Sequence, residues 1–301
     1  MTRVLSGPIL LTIFGIPLAI VLLPVALHLS AGSILITAVT APFIYCAFFV
    51  LTAGVISLPF RASVAPGTLP RDLAHPVYAR RRLYNLCWTS VYYNKPAYFL
   101  CLSVPWLKRA VFRLFGYRGS MEFTVYPDTW IRDLPLLSFG EGAYISNRAT
   151  VGTNIVMNDG TILVDRISVG KCAQIGHLCL LAPGASVGDG AVVGVAASLG
   201  IRATVGENTS VQPMATLNHG ARVGAGSTVG HGAYLGVRCQ VDSGVSLPVQ
   251  SFVGSRTKIR SQEQADALTK VLGSPVAPAS GTGPATPPPS GDRGRLARRF
   301  E

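Results

Sequence analysis

From Phe139 to Val253 every sixth residue is apolar, running Phe139, Ile145, Val151, Met157, Leu163, Val169, Ile175 and onward to Leu247 and Val253. Four residues after each stands a small or β-branched residue, from Ala143 and Ala149 to Thr257. The position directly after each aliphatic is most often glycine, as at Gly140, Gly170 and Gly176. A helix repeats at 3.6 residues and an ordinary strand at two, so neither template fits a period of six. Short strands joined by tight corners do fit. Each hexapeptide then forms one wall of a three-sided prism, three walls close a coil, and stacked coils share one core. With strands about 4.8 Å apart, six to seven coils form a rod about 32 Å tall. The count runs unbroken, which predicts no inserted loop between 139 and 258. The glycines after the aliphatics are expected to supply positive φ at the corners. The predicted fold is mainly β, a parallel β-helix of hexapeptide repeats over 119–258, with 119–138 as an irregular first coil.

A different pattern fills the N-terminus. No Asp, Glu, Lys or Arg occurs between Arg3 and Arg61, and two apolar runs, 8–29 and 33–60, are parted by Ser30-Ala31-Gly32. The first run, as a helix, spans about 33 Å, enough for a hydrocarbon core of about 30 Å. It is too long for a signal-peptide core and a second run follows it. Residues 1–60 are therefore predicted to form a two-helix transmembrane hairpin. Arg61, Arg71, Arg80, Arg81 and Arg82 follow the second run while the hairpin tip carries no cation. The positive-inside rule then places the rest of a multi-pass protein on the cytoplasmic side of the inner membrane. A re-entrant hairpin is the alternative.

Residues 61–118 are basic and aromatic together. In "SVPWLKRAVFRLFG" Pro105 suits a helix start and Gly116 a stop, with Leu107, Ala110, Val111 and Leu114 on one stripe. Such a helix either lies in the head-group layer or caps the next domain with that stripe. After the repeats, Ser261 with Gln264 predicts a capping helix over 261–273, within a segment 259–273 that seals the coil stack. The Pro/Ala/Gly/Ser-rich residues 274–301 are predicted to be disordered.

Composition sharpens this picture. Apolar residues make up 49% and charged residues 13%, with a net charge of +12. Residues 61–118 hold ten Lys/Arg against one Asp, so the basic excess sits beside the apolar runs. There it faces anionic membrane lipid, and nucleic acid is not an expected partner. Six cysteines, at 46, 87, 101, 172, 179 and 239, form no CxxC pair. They read as buried small residues in a reducing compartment. No phosphate loop, nucleophile elbow or carboxylate pair stands out, and no metal is expected.

The 139–258 block resembles the left-handed parallel β-helix of bacterial hexapeptide-repeat acyltransferases, most closely in "ISVGKCAQIGHLCLLAPGASVGDGAVVG". The layout, membrane helices followed by such a coil, is similar to the C-terminal region of membrane-bound poly-lysine-synthetase-like peptide synthetases. The resemblance implies a homotrimer, an acyl-CoA or acyl-carrier thioester donor (an acyl or peptidyl carrier protein being a partner), and a histidine general base. His177, His219 and His231 all fall on the third position of their hexads, where the superfamily's sugar-nucleotide and lipid acyltransferases carry that base.

Histidine suits proton transfer at neutral pH and contributes about 10²–10⁴ in rate. His219 in "ATLNHGARVG" and His177 in "IGHLCL" are the candidate catalytic residues. They lie seven hexads apart, on different sides of the prism and about 11 Å apart in height, so they belong to separate sites. Arg202, Arg222 and Arg238 stand at outward positions as candidates to meet a CoA phosphate. Gly220 and Leu178 stand where the resemblance expects a polar neighbour, and Asn158-Asp159 where the small-molecule branch carries His-Asp. A membrane-anchored acyltransferase acting on a membrane-proximal hydroxyl or amine is the leading expectation. A non-catalytic tethered scaffold, or an accessory domain of a peptide-assembly system, is the alternative.

Overall fold

The computed structural model describes residues 2–27 and 30–269. The expected tail from 274, Gly273 and His28 lie outside these residues. Helices α1 (Thr2–Ala26) and α2 (Ala31–Ser57) fold against each other. Ile13 packs with Phe49, Val50 and Ala53 in the buried core, and the Phe14 and Phe49 rings meet edge-on at 5.0 Å. Leu11, Leu35, Ile36, Val39 and Phe43 point outward, exposed. Both helices are long and apolar enough to cross a membrane. Ser30 caps α2, its hydroxyl accepting from the Ser33 N–H.

Helices α3 (Pro76–Tyr93), α4 (Lys95–Ser103) and α5 (Pro105–Leu114) form a collar packed onto the first coil. Its centre is Trp88, which meets Tyr98, Phe112 and Phe115 edge-on and donates from Nε1 to the Ile131 carbonyl at 2.6 Å. The apolar stripe of α5 packs into this cluster: Leu107, Val111 and Phe112 are buried, while Trp106 remains exposed. Lys108 is drawn in with them. Its ammonium donates to the Phe123 carbonyl at 2.6 Å and lies over the Phe123 ring, and burial lowers its pKa. A second tie is buried and ionic. Arg81 donates to Asp133, whose same carboxylate oxygen also accepts from Thr153 Oγ1 at 2.6 Å.

The repeats form the left-handed parallel β-helix expected. Three parallel sheets of seven strands make its faces, the first running from 124–125 to 246–247, the second from 130–131 to 252–253 and the third from 137–139 to 258–259. The hexad aliphatics and the small residues four positions on fill the interior, as with Ile175, Leu181, Ala185 and Ala191. Helix α6 (Gln262–Asp266) closes the far end. Ser261 caps it by accepting from Gln264 N, but the Gln264 carboxamide returns to the Arg260 N–H, and Gln262 pairs both ways with the Ser246 backbone at the end of the first face.

Three expectations need correction. The first is the unbroken count. In the later coils partners are 18 residues apart, as Val187 and Val205, but Phe139 pairs with Val169 and Ile145 with Ile175, 30 apart. The extra twelve residues form an antiparallel hairpin, 154–156 against 162–164, whose second strand also pairs with the extended segment 67–69 after α2 and so lies between the two. Twelve is two hexads, so the insertion leaves the phase of the count unchanged and hides in it. Met157, exposed at the turn, and Leu163, paired with Thr68, are not rungs of the core.

The second correction concerns glycine. Positive φ falls three residues after the aliphatic, at Cys172, Leu178, Ala196, Arg202, Met214 and Arg238 as well as at Gly190 and Gly220. Non-glycine residues are held there because their N–H groups donate down the stack, as Arg202 N to Pro183 O (2.9 Å) and Arg238 N to His219 O (2.9 Å). The glycines directly after the aliphatics serve close stacking instead. A Cβ on Gly206 or Gly236 would come within 2.5 Å of a backbone nitrogen in the next coil.

The third concerns the cysteines. Cys87, Cys101, Cys179 and Cys239 are buried, but Cys46 is half-buried and Cys172 exposed at a corner.

Candidate functional site

The three edges of the prism carry different chemistry, because each edge repeats the same register every 18 residues. The edge between the third and first faces presents Glu141, Asp189, Glu207 and Asp242, with one cation, Lys171, among them. The edge between the first and second presents Arg148, His177, Leu178, Val195, Met214, His231 and Val249, with Leu178, Val195, Met214 and Val249 exposed, so it is apolar above Arg148. The edge between the second and third presents Arg202, His219, Arg238 and Arg256 around one shallow groove, which Ile201, Gly220 and Val237 complete.

His219 is fixed in that groove. It follows the strand 216–217, and its Nδ1 accepts a hydrogen bond from the Ile201 N–H of the preceding coil at 3.0 Å. A neutral imidazole accepting at Nδ1 carries its proton on Nε2, so the ring presents an N–H donor to the groove. Gly200 makes this possible: a Cβ there would lie 2.7 Å from His219 N and 2.8 Å from its Nδ1. The preceding residue is anchored too, Asn218 Nδ2 donating to the Leu235 carbonyl at 2.9 Å.

Arg202, Gly220, Arg238 and Arg256 occupy one column, each in the left-handed region. Arg202 Nε pairs with Asp165 Oδ2 at 3.0 Å, so the inserted hairpin leans on this edge. The pair meets across Gly184, where a Cβ would sit 2.5 Å from Arg202 Cγ and 3.1 Å from the Asp165 oxygen. Among the described residues Arg238 and Arg256 have no carboxylate partner.

The structure therefore brings together three of the five residues singled out from sequence: His219, Arg202 and Arg238. Arg222 lies elsewhere, on the third face in register with Gln240 and Lys258. His177, half-buried, lies on the apolar edge two coils below His219 and has no ring hydrogen bond among the described residues, so either nitrogen can take a proton. Arg256 was missed. Spacing in multiples of 18 from Arg238 and Arg202 finds it and separates Arg222, which is out of phase. Asn158-Asp159 forms the hairpin turn, where Asp159 accepts from Thr161 N and Oγ1, and these bonds lower its pKa. Cysteine nucleophiles find no support at the buried sites. Burial pushes the Cys87 and Cys101 thiols up to about 12 and Cys239 to about 11, which keeps them protonated.

No family model and no curated protein matches this chain. Solved structures do. The acetyltransferase domain of PglB from Neisseria gonorrhoeae matches over 52% of this chain and 57% of its own, at 18% identity and a TM-score of 0.31. The UDP-N-acetylglucosamine O-acyltransferase LpxA from Moraxella catarrhalis matches over 48% and 65%, at 13% identity and 0.34. The GDP-perosamine N-acetyltransferase from Caulobacter crescentus, in complex with CoA and GDP-perosamine, matches over 52% and 62%, at 19% and 0.26. This chain thus spans 57% to 65% of the length of these structures.

Proposed function

We propose that this protein is a membrane-anchored acyltransferase. It moves an acyl group from a CoA or acyl-carrier thioester to a hydroxyl or amine of a membrane-proximal acceptor. One observation carries the reading: His219 alone among the three prism histidines stands in a groove of cations, two of them unpaired. A polyanionic donor, or an acidic carrier protein bearing one, suits Arg238 and Arg256. The Nε2–H of His219 suits the oxygen of a thioester carbonyl as negative charge develops on it. The acceptor's oxygen or nitrogen bonds to the carbonyl carbon, the C–S bond breaks, and the acceptor's proton ends on the departing thiolate. In this groove the histidine that relays the proton is His219, once its ring releases Ile201; His177, on another edge, would serve only a separate site.

The acidic and cationic edges of one prism suit copies related by rotation, which supports the homotrimer that the resemblance implies. Helices α1 and α2 support the anchor, and the arginines following α2 support a cytoplasmic prism. Calorimetric titration of the full-length protein in neutral detergent with a non-hydrolysable acyl-CoA analogue tests the reading. Saturable binding that weakens with salt is expected. No binding by either the analogue or a phosphopantetheine-bearing carrier overturns it.

A second reading, a tethered non-catalytic scaffold, is favoured by Gly220 and Leu178, which leave neither histidine with an adjacent carboxylate. It predicts no thioester turnover with any donor.

A further inference from the structure

Beyond the groove of His219, a second cationic site lies where α2 ends. A short 3₁₀ turn, Leu58–Ser63, carries Arg61 across the C-terminal end of α5. Arg61 Nη1 donates there to the carbonyls of Arg113 (3.2 Å) and Leu114 (3.4 Å). Gly116, at a φ of 88°, makes room for it: a Cβ would lie 2.8 Å from Arg61 Cδ and 3.1 Å from Pro135 Cγ. Arg113 is held likewise, donating to the carbonyls of Tyr117 (2.9 Å) and Gly119 (3.1 Å). Arg118, and Arg166 from the base of the inserted hairpin, complete the rim of one hollow with them.

Four arginines thus line a single hollow that no carboxylate lines. The nearest acid along the chain, Asp165, is turned to Arg202, and its other oxygen accepts from the Arg166 N–H. Like charges gathered this way repel unless an anion sits among them. Arginine's planar fork matches phosphate oxygens in pairs. Two of the four are already oriented by backbone carbonyls, which lowers the cost of ordering them around a ligand. The remaining wall is apolar and includes Leu58 and Ala62, directly continuous with the apolar surface of α2. The hollow therefore asks for a molecule with a phosphate at one end and hydrocarbon at the other.

We propose that this hollow binds the phosphate of an anionic phospholipid headgroup, with its acyl chains along α2. The proposal rests on the reading that α1 and α2 lie in a bilayer, and its test keeps the two apart. Full-length protein in neutral detergent is titrated with dioctanoyl phosphatidic acid, dioctanoyl phosphatidylcholine and inorganic phosphate. The same titrations follow for an R118Q/R166Q variant and for a charge-matched R80Q/R109Q control, whose residues do not line the hollow. Arg118 and Arg166 are exposed and have no side-chain hydrogen bond among the described residues, so the fold is expected to survive their loss.

Phosphatidic acid is expected to bind saturably and more tightly than the other two. Its affinity should fall about ten-fold in R118Q/R166Q, the scale of a lost charge-assisted hydrogen bond, and hold in the control. Equal losses in both variants, or no loss in either, overturn the site. Inorganic phosphate binding as tightly as the lipid overturns its lipid source, and phosphatidylcholine binding as tightly overturns the anionic requirement. Flotation of the protein with neutral vesicles reads the anchor alone. Failure to float removes the bilayer reading whatever the titrations give, and no arm depends on acyl transfer.

Discussion

Two edges of the prism share one backbone and differ in chemistry. Between the second and third faces the corner column reads Gly184, Arg202, Gly220, Arg238, Arg256; between the first and second it reads Arg148, Leu178, Ala196, Met214, Gly232, Gln250, with one cation at its lower end. Each of these residues has positive φ, so the repeat dictates the backbone and leaves the side chain open. Each edge also offers histidine one position earlier. On the apolar edge His177 and His231 have no ring hydrogen bond among the described residues, whereas on the cationic edge His219 is locked to Ile201 and flanked by arginines. The lesson is that a repeat supplies equivalent places and that function is selected by what fills the column.

The sharpest way to break this contrast is to remove its histidines. His219→Ala should lower thioester turnover about 10²–10³-fold, the usual scale for a lost oxyanion donor, while His231→Ala on the apolar edge should not. Thiol release by full-length protein in detergent measures both. His219→Gln then separates the roles: its amide retains a donor near the Nε2 position, so partial recovery speaks for polarisation. Loss equal to alanine speaks for proton transfer.

Next in size is a stability contrast between two glycines of neighbouring coils. Gly200→Ala drives a methyl into the backbone of Asn218 and His219 and should cost about 1–3 kcal/mol, as overpacking does, with turnover falling alongside. Gly226→Ala meets open space at a φ of 64° and should cost only about 1 kcal/mol, the left-handed penalty. Chemical denaturation of the two variants compares them. Equal losses would mean that close stacking is not the reason for glycine after the aliphatic.

How much of this was legible follows from what a count can see. Period six located the core rungs from Val169 to Val253 and the outward placement of His219, because interior filling is enforced at every coil. It could not see the hairpin. An insertion of two hexads preserves the phase, and Met157 and Leu163 are apolar for a different reason, one at a turn and one on a strand against Thr68. Nor could it see that Arg61, Arg113, Arg118 and Arg166 converge, since they come from three segments joined only by tertiary packing. Arg222 is outward as expected, but outward exposure without the 18-residue period does not separate it from the edge of Arg202 and Arg238. The packing of the collar was open for a similar reason: the stripe of α5 suits lipid and protein alike, and only tertiary structure shows it meeting the aromatic cluster around Trp88.

A smaller effect is expected from the unpaired cations. Arg238→Gln with Arg256→Gln should raise the donor KM about ten-fold and flatten its salt dependence, with kcat little changed, if these groups hold the donor and not the reacting atoms. The same pair of changes should leave phosphatidic acid binding at the α2 hollow untouched, because the two sites share no residue.

The smallest effect tests whether Arg202 belongs with them. Its guanidinium is two-thirds exposed, and it pairs with an Asp165 that is one-fifth exposed, so solvent screening limits the pair to about 0.2–1 kcal/mol. Asp165→Asn should therefore barely move the denaturation midpoint. Its consequence lies in the groove: an arginine no longer neutralised adds a third free cation beside Arg238 and Arg256, all on one column. Donor KM should then fall by about two- to three-fold at low salt, and the gain should vanish as ionic strength shortens the reach of the charge. A rise in KM would mean that Asp165 orients Arg202 toward the donor, which would make the inserted hairpin part of the binding edge and not a clamp upon it.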